Sequence, residues 1–264
     1  MLTDRAKPRP SLLPREHGAY AQLGIALLAG LCLARPGVRA VLQGLLTVLV
    51  FLTSEPLMVL LGRRGAELRR QASRQAGTRL GQLGVVALLV AIPAWAGATP
   101  VQFASLIAPI LLALGLFTLF LAKREHTPLG EGATAWAMAS AACPVAFLAE
   151  ATPLKGFQLF FLLGAVLFVG MTVVRGHLLS LKPGMTFWSR SHPALLGFLL
   201  LAATTALALT HRLSWMAALC GLPITGMALE VWIRPRPSRP LKQLGWLLAA
   251  ASALGAALAV AGLR

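Results

Sequence analysis

Nine apolar runs, each close to 20 residues long, restrict what this chain can fold into more than any other feature of its sequence. A helix of about 20 residues rises roughly 30 Å, which is the thickness of the hydrocarbon core of a bilayer. Only 12% of the residues are charged, whereas a soluble domain contains about 25%. We therefore predict an all-α, polytopic transmembrane helical bundle. The predicted spans are 17–34, 41–61, 80–97, 102–122, 132–150, 157–174, 193–210, 213–233 and 243–262.

The distribution of Lys and Arg predicts the orientation of these spans. Cytoplasmic loops carry an excess of basic residues. We therefore expect residues 1–16 to be a cytoplasmic N-terminal segment and the C-terminus to be periplasmic or extracellular. Nineteen of the 24 basic residues lie on the side of the N-terminus, and five lie on the other side, namely Arg35, Arg39, Lys155, Arg212 and Arg264.

The net charge of +16 comes from basic residues that are dispersed among short loops. In that position they contact the anionic lipid headgroups of the bilayer, so we expect lipid as their partner and exclude nucleic acid. Cys32, Cys143 and Cys220 lie within apolar runs, and their spacing matches neither a disulfide framework nor a zinc site. We interpret them as small apolar packing residues.

The tripeptide Arg-Glu-His occurs twice. Arg15-Glu16-His17 opens the first span, and Arg124-Glu125-His126 opens the fifth span, 109 residues later. Four spans separate the two copies, so both copies lie on the same side and the two halves are predicted to be parallel repeats. We predict one transmembrane domain, 1–264, with a first four-span repeat, 17–122, a second four-span repeat, 123–233, and a basic loop with a ninth span, 234–264.

The repeated Glu-His pairs and a glutamate inside the second span are the candidate catalytic residues. Imidazole titrates near neutral pH and serves as an acid, a base or a metal ligand. An ionisable group within a span is costly, so it normally pairs or lines a polar cavity. The alternatives are interfacial anchoring by the histidines and a structural ion pair between the glutamate and Arg63 or Arg64. The candidates are Glu16, His17, Glu55, Glu125 and His126.

Arginines near the same cytoplasmic ends are candidates for binding an anionic group, including that of an isoprenoid or a lipid phosphate. The Arg-rich loop over 63–79 has an alternative role as a lipid-facing topology signal. Glu131 has helix capping as its alternative, and Tyr20 has a place in the aromatic belt. The candidate substrate-binding residues are Arg15, Tyr20, Arg63, Arg64, Arg124, Glu131, Arg175 and His177.

The segment Pro14-Arg15-Glu16-His17-Gly18-Ala19-Tyr20 resembles the opening signature of the YwiC-like family of bacterial membrane proteins, which has Trp at the position of Tyr20. Lys123-Arg124-Glu125-His126-Thr127 and the late Lys242-Gln243-Leu244-Gly245 are similar to that family as well. The resemblance implies a multi-pass protein of the bacterial cytoplasmic (inner) membrane. It does not imply a reaction.

The layout is more distantly similar to that of UbiA-type intramembrane prenyltransferases, which have nine spans and functional loops after the second and sixth spans. Those enzymes hold a prenyl diphosphate through magnesium ions on two Asp-rich motifs. Here the matching loops contain no Asp, and the only Asp of the chain is Asp4. Magnesium needs oxygen ligands, mainly carboxylates. The resemblance therefore implies the architecture, with the usual metal–diphosphate chemistry lost or replaced.

Three functions are compatible with this sequence. The favoured one is a prenyltransferase-like membrane enzyme that acts on a lipidic or isoprenoid substrate at the cytoplasmic face. The second is a membrane transporter or binding protein, although transporters with repeats place their polar groups near the bilayer midplane. The third is a haem- or metal-binding membrane protein that uses the Arg-Glu-His motifs. No ligand pair has a diagnostic metal spacing, and the sequence identifies no cofactor.

Overall fold

The structure, a computed structural model, describes residues 17–180, 187–233 and 241–264. The described residues form α-helices joined by short turns and contain no strand. Leu219–Gly221 forms one turn of 3-10 helix. The helices are α1 (His17–Leu33), α2 (Val38–Leu60), α3 (Ala66–Trp95), α4 (Pro100–Ala104), α5 (Ile107–Leu121), α6 (Pro128–Ser140), α7 (Ala142–Leu148), α8 (Pro153–Ser180), α9 (Phe187–Leu209), α10 (Trp215–Ala218), α11 (Leu222–Ile233) and α12 (Leu241–Leu263).

Nine helical segments of the described chain coincide with the nine predicted spans. The helices α4 and α5, α6 and α7, and α10 and α11 each form one such segment. Seven segments in the described part are long and apolar enough to cross a membrane, and the other two are the shorter α1 and the interrupted α6–α7. The prediction of a polytopic all-α membrane protein is confirmed. The two four-span repeats remain a prediction.

The described residues belong to two compact units. Unit 1 consists of His17 and residues 42–96, and therefore contains most of α2 and all of α3. Unit 2 consists of residues 18–41 and the described residues between 97 and 264, and therefore contains α1 after His17, the first residues of α2 and the helices from α4 to α12. Each unit has its own buried apolar cluster.

Unit 1 is built on an antiparallel hairpin of α2 and α3. At one end of the hairpin, Val59 packs against Ala72 and Ala76, and all three side chains are buried. At the other end, the indole N–H of Trp95 donates a hydrogen bond of 2.8 Å to Oε1 of Gln43. Small side chains allow two helices to approach closely. These two contacts therefore fix which turns of α2 and α3 lie side by side.

The Arg-rich stretch after α2 is helical, so the predicted loop over 63–79 is wrong. Only residues 61–65 form a turn, and α3 then runs for 30 residues, or about 45 Å. Leu68, Ala72 and Ala76 recur every fourth residue and form the face that packs against α2. This spacing is the helical repeat of a buried stripe, and it leaves Arg69, Arg70 and Arg74 on the exposed faces of the helix. The predicted third span is the apolar half of a longer helix.

A Schellman motif ends α2 and turns the chain back on itself. The N–H of Arg63 donates to the carbonyl of Met58 at 3.0 Å, and the N–H of Gly62 donates to the carbonyl of Val59 at 3.0 Å. Gly62 has a φ of 73°, in the left-handed region that glycine adopts without a steric penalty. The glycine thus allows α3 to start within a few residues of the end of α2.

The central helix of unit 2 is α8, which packs against α6, α7, α9, α11 and α12. Glycines and aromatic rings interlock where α8 meets α6. Gly164 of α8 faces the indole of Trp136, and Gly132 of α6 faces the ring of Phe168. Each glycine leaves the space that the opposite ring fills, so the two helices pack closely along this interface.

The fifth segment is interrupted between α6 and α7. Pro144 has no N–H, so the carbonyl of Ser140 cannot accept the helical hydrogen bond from four residues further on. Just before this point, the N–H of Ala141 donates to the carbonyl of Met138, three residues earlier, at 3.3 Å, which tightens the helix locally. Gly30 of α1 packs against this interruption, where a Cβ atom would lie 2.7 Å from the carbonyl oxygen of Ala142.

Candidate functional site

Glu55 and Arg64 form a buried ion pair in unit 1. Nε of Arg64 donates to Oε1 of Glu55 at 2.9 Å, and Nη2 donates to Oε2 at 2.6 Å. Glu55 is 1% exposed, whereas the side chain of Arg64 is 30% exposed. One planar guanidinium therefore contacts both carboxylate oxygens, which is the bidentate geometry of an arginine–carboxylate ion pair. Of the two alternative partners predicted for Glu55, Arg63 and Arg64, this bidentate contact comes from Arg64.

The hairpin places this ion pair near the boundary between the polar and apolar parts of α3. The two contacts that align α2 with α3 put Glu55 level with Arg79 and Leu80. The sequence of α3 changes from polar to apolar at Leu80. Relative to its own helix, Glu55 lies inside the span, but relative to α3 it lies at the edge of the apolar zone. An ionisable group is less costly at that depth than at the centre of a bilayer.

The second Arg-Glu-His motif forms the turn between α5 and α6 in unit 2. The N–H of Lys123 donates to the carbonyl of Phe120 at 3.0 Å, and the N–H of Arg124 donates to the carbonyl of Leu119 at 2.9 Å. This is the same Schellman motif as at the end of α2, but here the residue with positive φ, 58°, is Lys123. The turn is therefore tight, although no glycine stands in it.

The start of α6 holds the backbone of this motif in place. Oγ1 of Thr127 caps the helix by accepting a hydrogen bond of 3.2 Å from the N–H of Gly130, and Pro128 occupies the first turn. The backbone of the motif lies directly against Gly130, where a Cβ atom would come within 2.6 Å of the carbonyl oxygen of Glu125. The backbone of the motif is therefore held against Gly130, the residue that precedes Glu131.

Glu131 and Arg175 form a second ion pair, which joins α6 to the end of α8. Nη1 of Arg175 donates to Oε2 of Glu131 at 2.8 Å. The side chain of Arg175 is 35% exposed and that of Glu131 is 30% exposed, so both are accessible from outside the protein. A guanidinium has five N–H donors, and this hydrogen bond uses one of them. Arg175 is therefore able to bind a further anion while it holds Glu131.

The other candidates in unit 2 differ in their exposure. Arg124 and His126 are exposed and Glu125 is half-buried in the turn, whereas His177 is 4% exposed near the end of α8. Glu125 and His177 each make a further interaction within the protein. The structure thus brings the turn, Glu131 and Arg175 together at one end of unit 2.

The remaining candidates are distributed as follows. Arg15 and Glu16 lie outside the described residues, and His17 is the first residue of α1. Tyr20 is 38% exposed on α1, and Arg63 is half-buried in the turn after α2, and both make a further interaction. A common cavity for the two Arg-Glu-His motifs therefore remains a prediction.

The described residues do not supply a magnesium site of the kind that the prenyltransferase resemblance implies. They contain no group of three or more His, Cys, Asp or Glu side chains that could hold a metal ion. The only Asp of the chain, Asp4, lies outside them. Within these residues, the groups suited to a phosphate are arginines and lysines, and Lys123 and Arg124 lie in the turn. A metal or haem site that includes His17 remains a prediction.

The pairing of Glu131 with Arg175 was not predicted. The two residues are 44 positions apart and lie on different helices, and no motif or spacing in a single sequence connects them. Their contact follows from the packing of α6 on α8, which the interlocking of Gly132 with Phe168 brings about.

Residues 13–148 match the family described as YwiC-like protein, and the match covers just over half of the chain. The chain belongs to the YwiC-like family. The matched part of this YwiC-like protein runs from the first Arg-Glu-His motif to the end of α7 and includes Glu55, Arg64 and Glu131. Arg175 lies beyond it. No curated protein and no solved structure matches the chain.

Proposed function

We propose that this YwiC-like protein is a membrane enzyme of prenyltransferase-like architecture that acts on a lipidic or isoprenoid phosphate at the cytoplasmic face. The observation that carries the proposal is the half-exposed ion pair of Glu131 with Arg175 beside the Arg-Glu-His turn. A group that binds anions and a group that transfers protons therefore stand at one end of unit 2. The proposal includes a bacterial inner-membrane location with the N-terminus in the cytoplasm.

Arg175 is the proposed phosphate-binding residue. A guanidinium matches the geometry of phosphate oxygens and remains charged at every physiological pH. Glu131 holds one of its N–H groups at 2.8 Å and so restricts the orientation of the guanidinium plane. The exposed Arg124 adds a second positive charge from the turn. In the proposed enzyme these arginines take the place of metal ions as the counter-charge of the substrate.

His126 is the proposed proton-transfer residue. It is exposed in the turn, and an imidazole both accepts and donates protons near neutral pH. Glu125 is half-buried beside it, and its backbone is fixed by Gly130. In the proposed mechanism Arg175 binds and orients the phosphate group, and His126 exchanges a proton with the substrate.

The polar groups deeper in unit 2 favour an enzyme over a transporter. Thr172, Thr204 and Thr225 are buried, and each hydroxyl donates to a backbone carbonyl: those of Thr172 and Thr225 to carbonyls three and four residues earlier, and that of Thr204 to the carbonyl of Ala218 at 2.8 Å. These hydroxyls satisfy backbone carbonyls and are not aimed at a ligand. Transporters with repeats normally place their substrate site near the midplane, whereas the charged candidates here lie at one end of the unit.

The test combines ligand identification with turnover. The full-length protein is purified in mild detergent, its co-purified lipids are identified by native mass spectrometry, and turnover of the identified lipid is then measured. Arg175→Gln is expected to lose the bound lipid phosphate, and His126→Gln is expected to retain it but lose turnover. Arg212→Gln is the matched control, because Arg212 is an exposed arginine of the same unit outside the candidate site. Retention of ligand by Arg175→Gln, or normal turnover by His126→Gln, contradicts the proposal.

A further inference from the structure

A continuous polar stripe runs along the N-terminal half of α3. Its side chains recur at intervals of three and four residues, so they share one side of the helix. Five of the six residues are exposed, and Arg79 is half-buried. The stripe contains two positive charges, four further hydrogen-bonding side chains and no acidic residue. It lines an open depression on the surface of α3, and its members are Gln71, Arg74, Gln75, Thr78, Arg79 and Gln82.

The stripe lies at the depth of lipid headgroups. The apolar half of α3 begins at Leu80, immediately after Arg79. At 1.5 Å per residue, Arg74 lies about 9 Å further out than Leu80 along the axis of an upright helix. The headgroup region of each leaflet is roughly 5–8 Å thick. Arg79 and Arg74 therefore stand at the inner and outer edges of the layer that contains the phosphates.

We propose that this stripe is a binding site for the phosphate of an anionic phospholipid, held between Arg74 and Arg79. Among the described residues, neither guanidinium forms an ion pair with an acidic side chain. The nearest acidic residue of this helix, Glu67, accepts a hydrogen bond from Gln71 at the outer end of the stripe. Arg74 is exposed and Arg79 is half-buried, neither charge is neutralised by a carboxylate of the described residues, and Gln75 is an additional donor between them.

Charge and depth together select this occupant. An acidic protein partner would also be attracted by the two arginines, but its acidic groups would have to reach Arg79 and Gln82 at the edge of the apolar zone. A phospholipid already places its phosphate at that level and its acyl chains alongside the apolar half of α3. The stripe belongs to unit 1, whereas the residues of the proposed enzyme site belong to unit 2.

The test compares two double variants of the full-length protein. Native mass spectrometry in mild detergent measures the binding of phosphatidylglycerol and, for comparison, of zwitterionic phosphatidylcholine. In Arg74→Gln/Arg79→Gln, we expect phosphatidylglycerol to bind about 10- to 30-fold more weakly. Arg69→Gln/Arg70→Gln is the matched control, because it removes the same charge from exposed positions of the same helix. These lie about 15 Å beyond the apolar zone, so we expect a loss of less than about threefold at 0.1 M salt.

Several outcomes overturn the proposal. Equal losses in both double variants indicate long-range attraction without a site, and no loss in either indicates that lipid does not bind there. Displacement of phosphatidylglycerol by excess inorganic phosphate indicates a site for a free anion. Equal affinity for phosphatidylcholine, or capture of an acidic protein that competes with the lipid, contradicts the assigned occupant. Unchanged far-UV circular dichroism of both variants ensures that the comparison concerns folded protein.

Discussion

Replacing Arg64 with Ala removes both hydrogen bonds of the Glu55 carboxylate while leaving that carboxylate in place. Glu55 is 1% exposed, so its charge cannot be hydrated where it stands. Breaking a buried ion pair from one side costs about 3–5 kcal/mol, because the remaining charge is buried without compensation. Arg64→Ala is therefore expected to lower the free energy of unfolding by about that amount.

Removing the other partner is expected to cost less. In Glu55→Gln the carboxylate charge is gone, and the guanidinium of Arg64, whose side chain is 30% exposed, can turn towards water. The glutamine oxygen still accepts one hydrogen bond, so the expected loss is about 1–2 kcal/mol. The double variant Glu55→Gln/Arg64→Ala contains no buried charge and is expected to be more stable than Arg64→Ala alone by about 1–2 kcal/mol.

The assay is reversible unfolding in mixed micelles, followed by far-UV circular dichroism as the denaturing detergent is increased. The three variants and the unmodified protein form a double-mutant cycle, which isolates the coupling between the two side chains. The exposed Arg70, on the adjoining helix, supplies a control variant, Arg70→Ala, for which little change is expected. If Arg64→Ala costs no more than Glu55→Gln, the carboxylate is not buried against this guanidinium and the reasoning fails.

Three further substitutions test the packing of the two units by the same assay. Gly164→Val drives a side chain into the indole of Trp136 and is expected to cost about 3 kcal/mol; a neutral result contradicts the close packing of α8 on α6. Lys123→Gly relieves the left-handed backbone of the α5–α6 turn and is expected to stabilise the protein by about 0.5–1 kcal/mol, whereas destabilisation argues against that turn. Trp95→Phe leaves the buried Oε1 of Gln43 without its indole donor and is expected to cost about 1–3 kcal/mol, a loss that should vanish if the two helix ends do not meet.

Much of the fold follows from the sequence because a bilayer admits few solutions. Apolar runs of about 20 residues must be helical, since every backbone polar group inside the membrane has to be satisfied within its own segment. Local residues also determine the turns, namely Gly62 after α2 and Thr127-Pro128 before α6. The helical repeat of Leu68, Ala72 and Ala76 was present in the sequence as well. The arginines between these residues favour a loop in the sequence pattern and so mask that repeat.

The candidate site could be predicted only in part. Glu55 had two neighbouring arginines as potential partners, and its burial made an ion pair necessary, but only the geometry of the turn at Gly62 selects Arg64. Glu131 and Arg175 meet because Gly132 accepts the ring of Phe168, and such a tertiary contact leaves no mark on the spacing of residues along the chain. A sequence therefore identifies candidate residues by their type, whereas contacts between helices that are distant in sequence depend on tertiary packing.

The most direct test of the proposed function is native mass spectrometry of the purified full-length protein, comparing it with Arg175→Gln and the control Arg212→Gln. We expect a lipid or isoprenoid phosphate to accompany the unmodified protein and the control in a defined stoichiometry and to be lost from Arg175→Gln. If no phosphate-bearing lipid accompanies any of the three proteins, or if Arg175→Gln retains it fully, the half-exposed pair of Glu131 with Arg175 is structural and the proposed function is wrong.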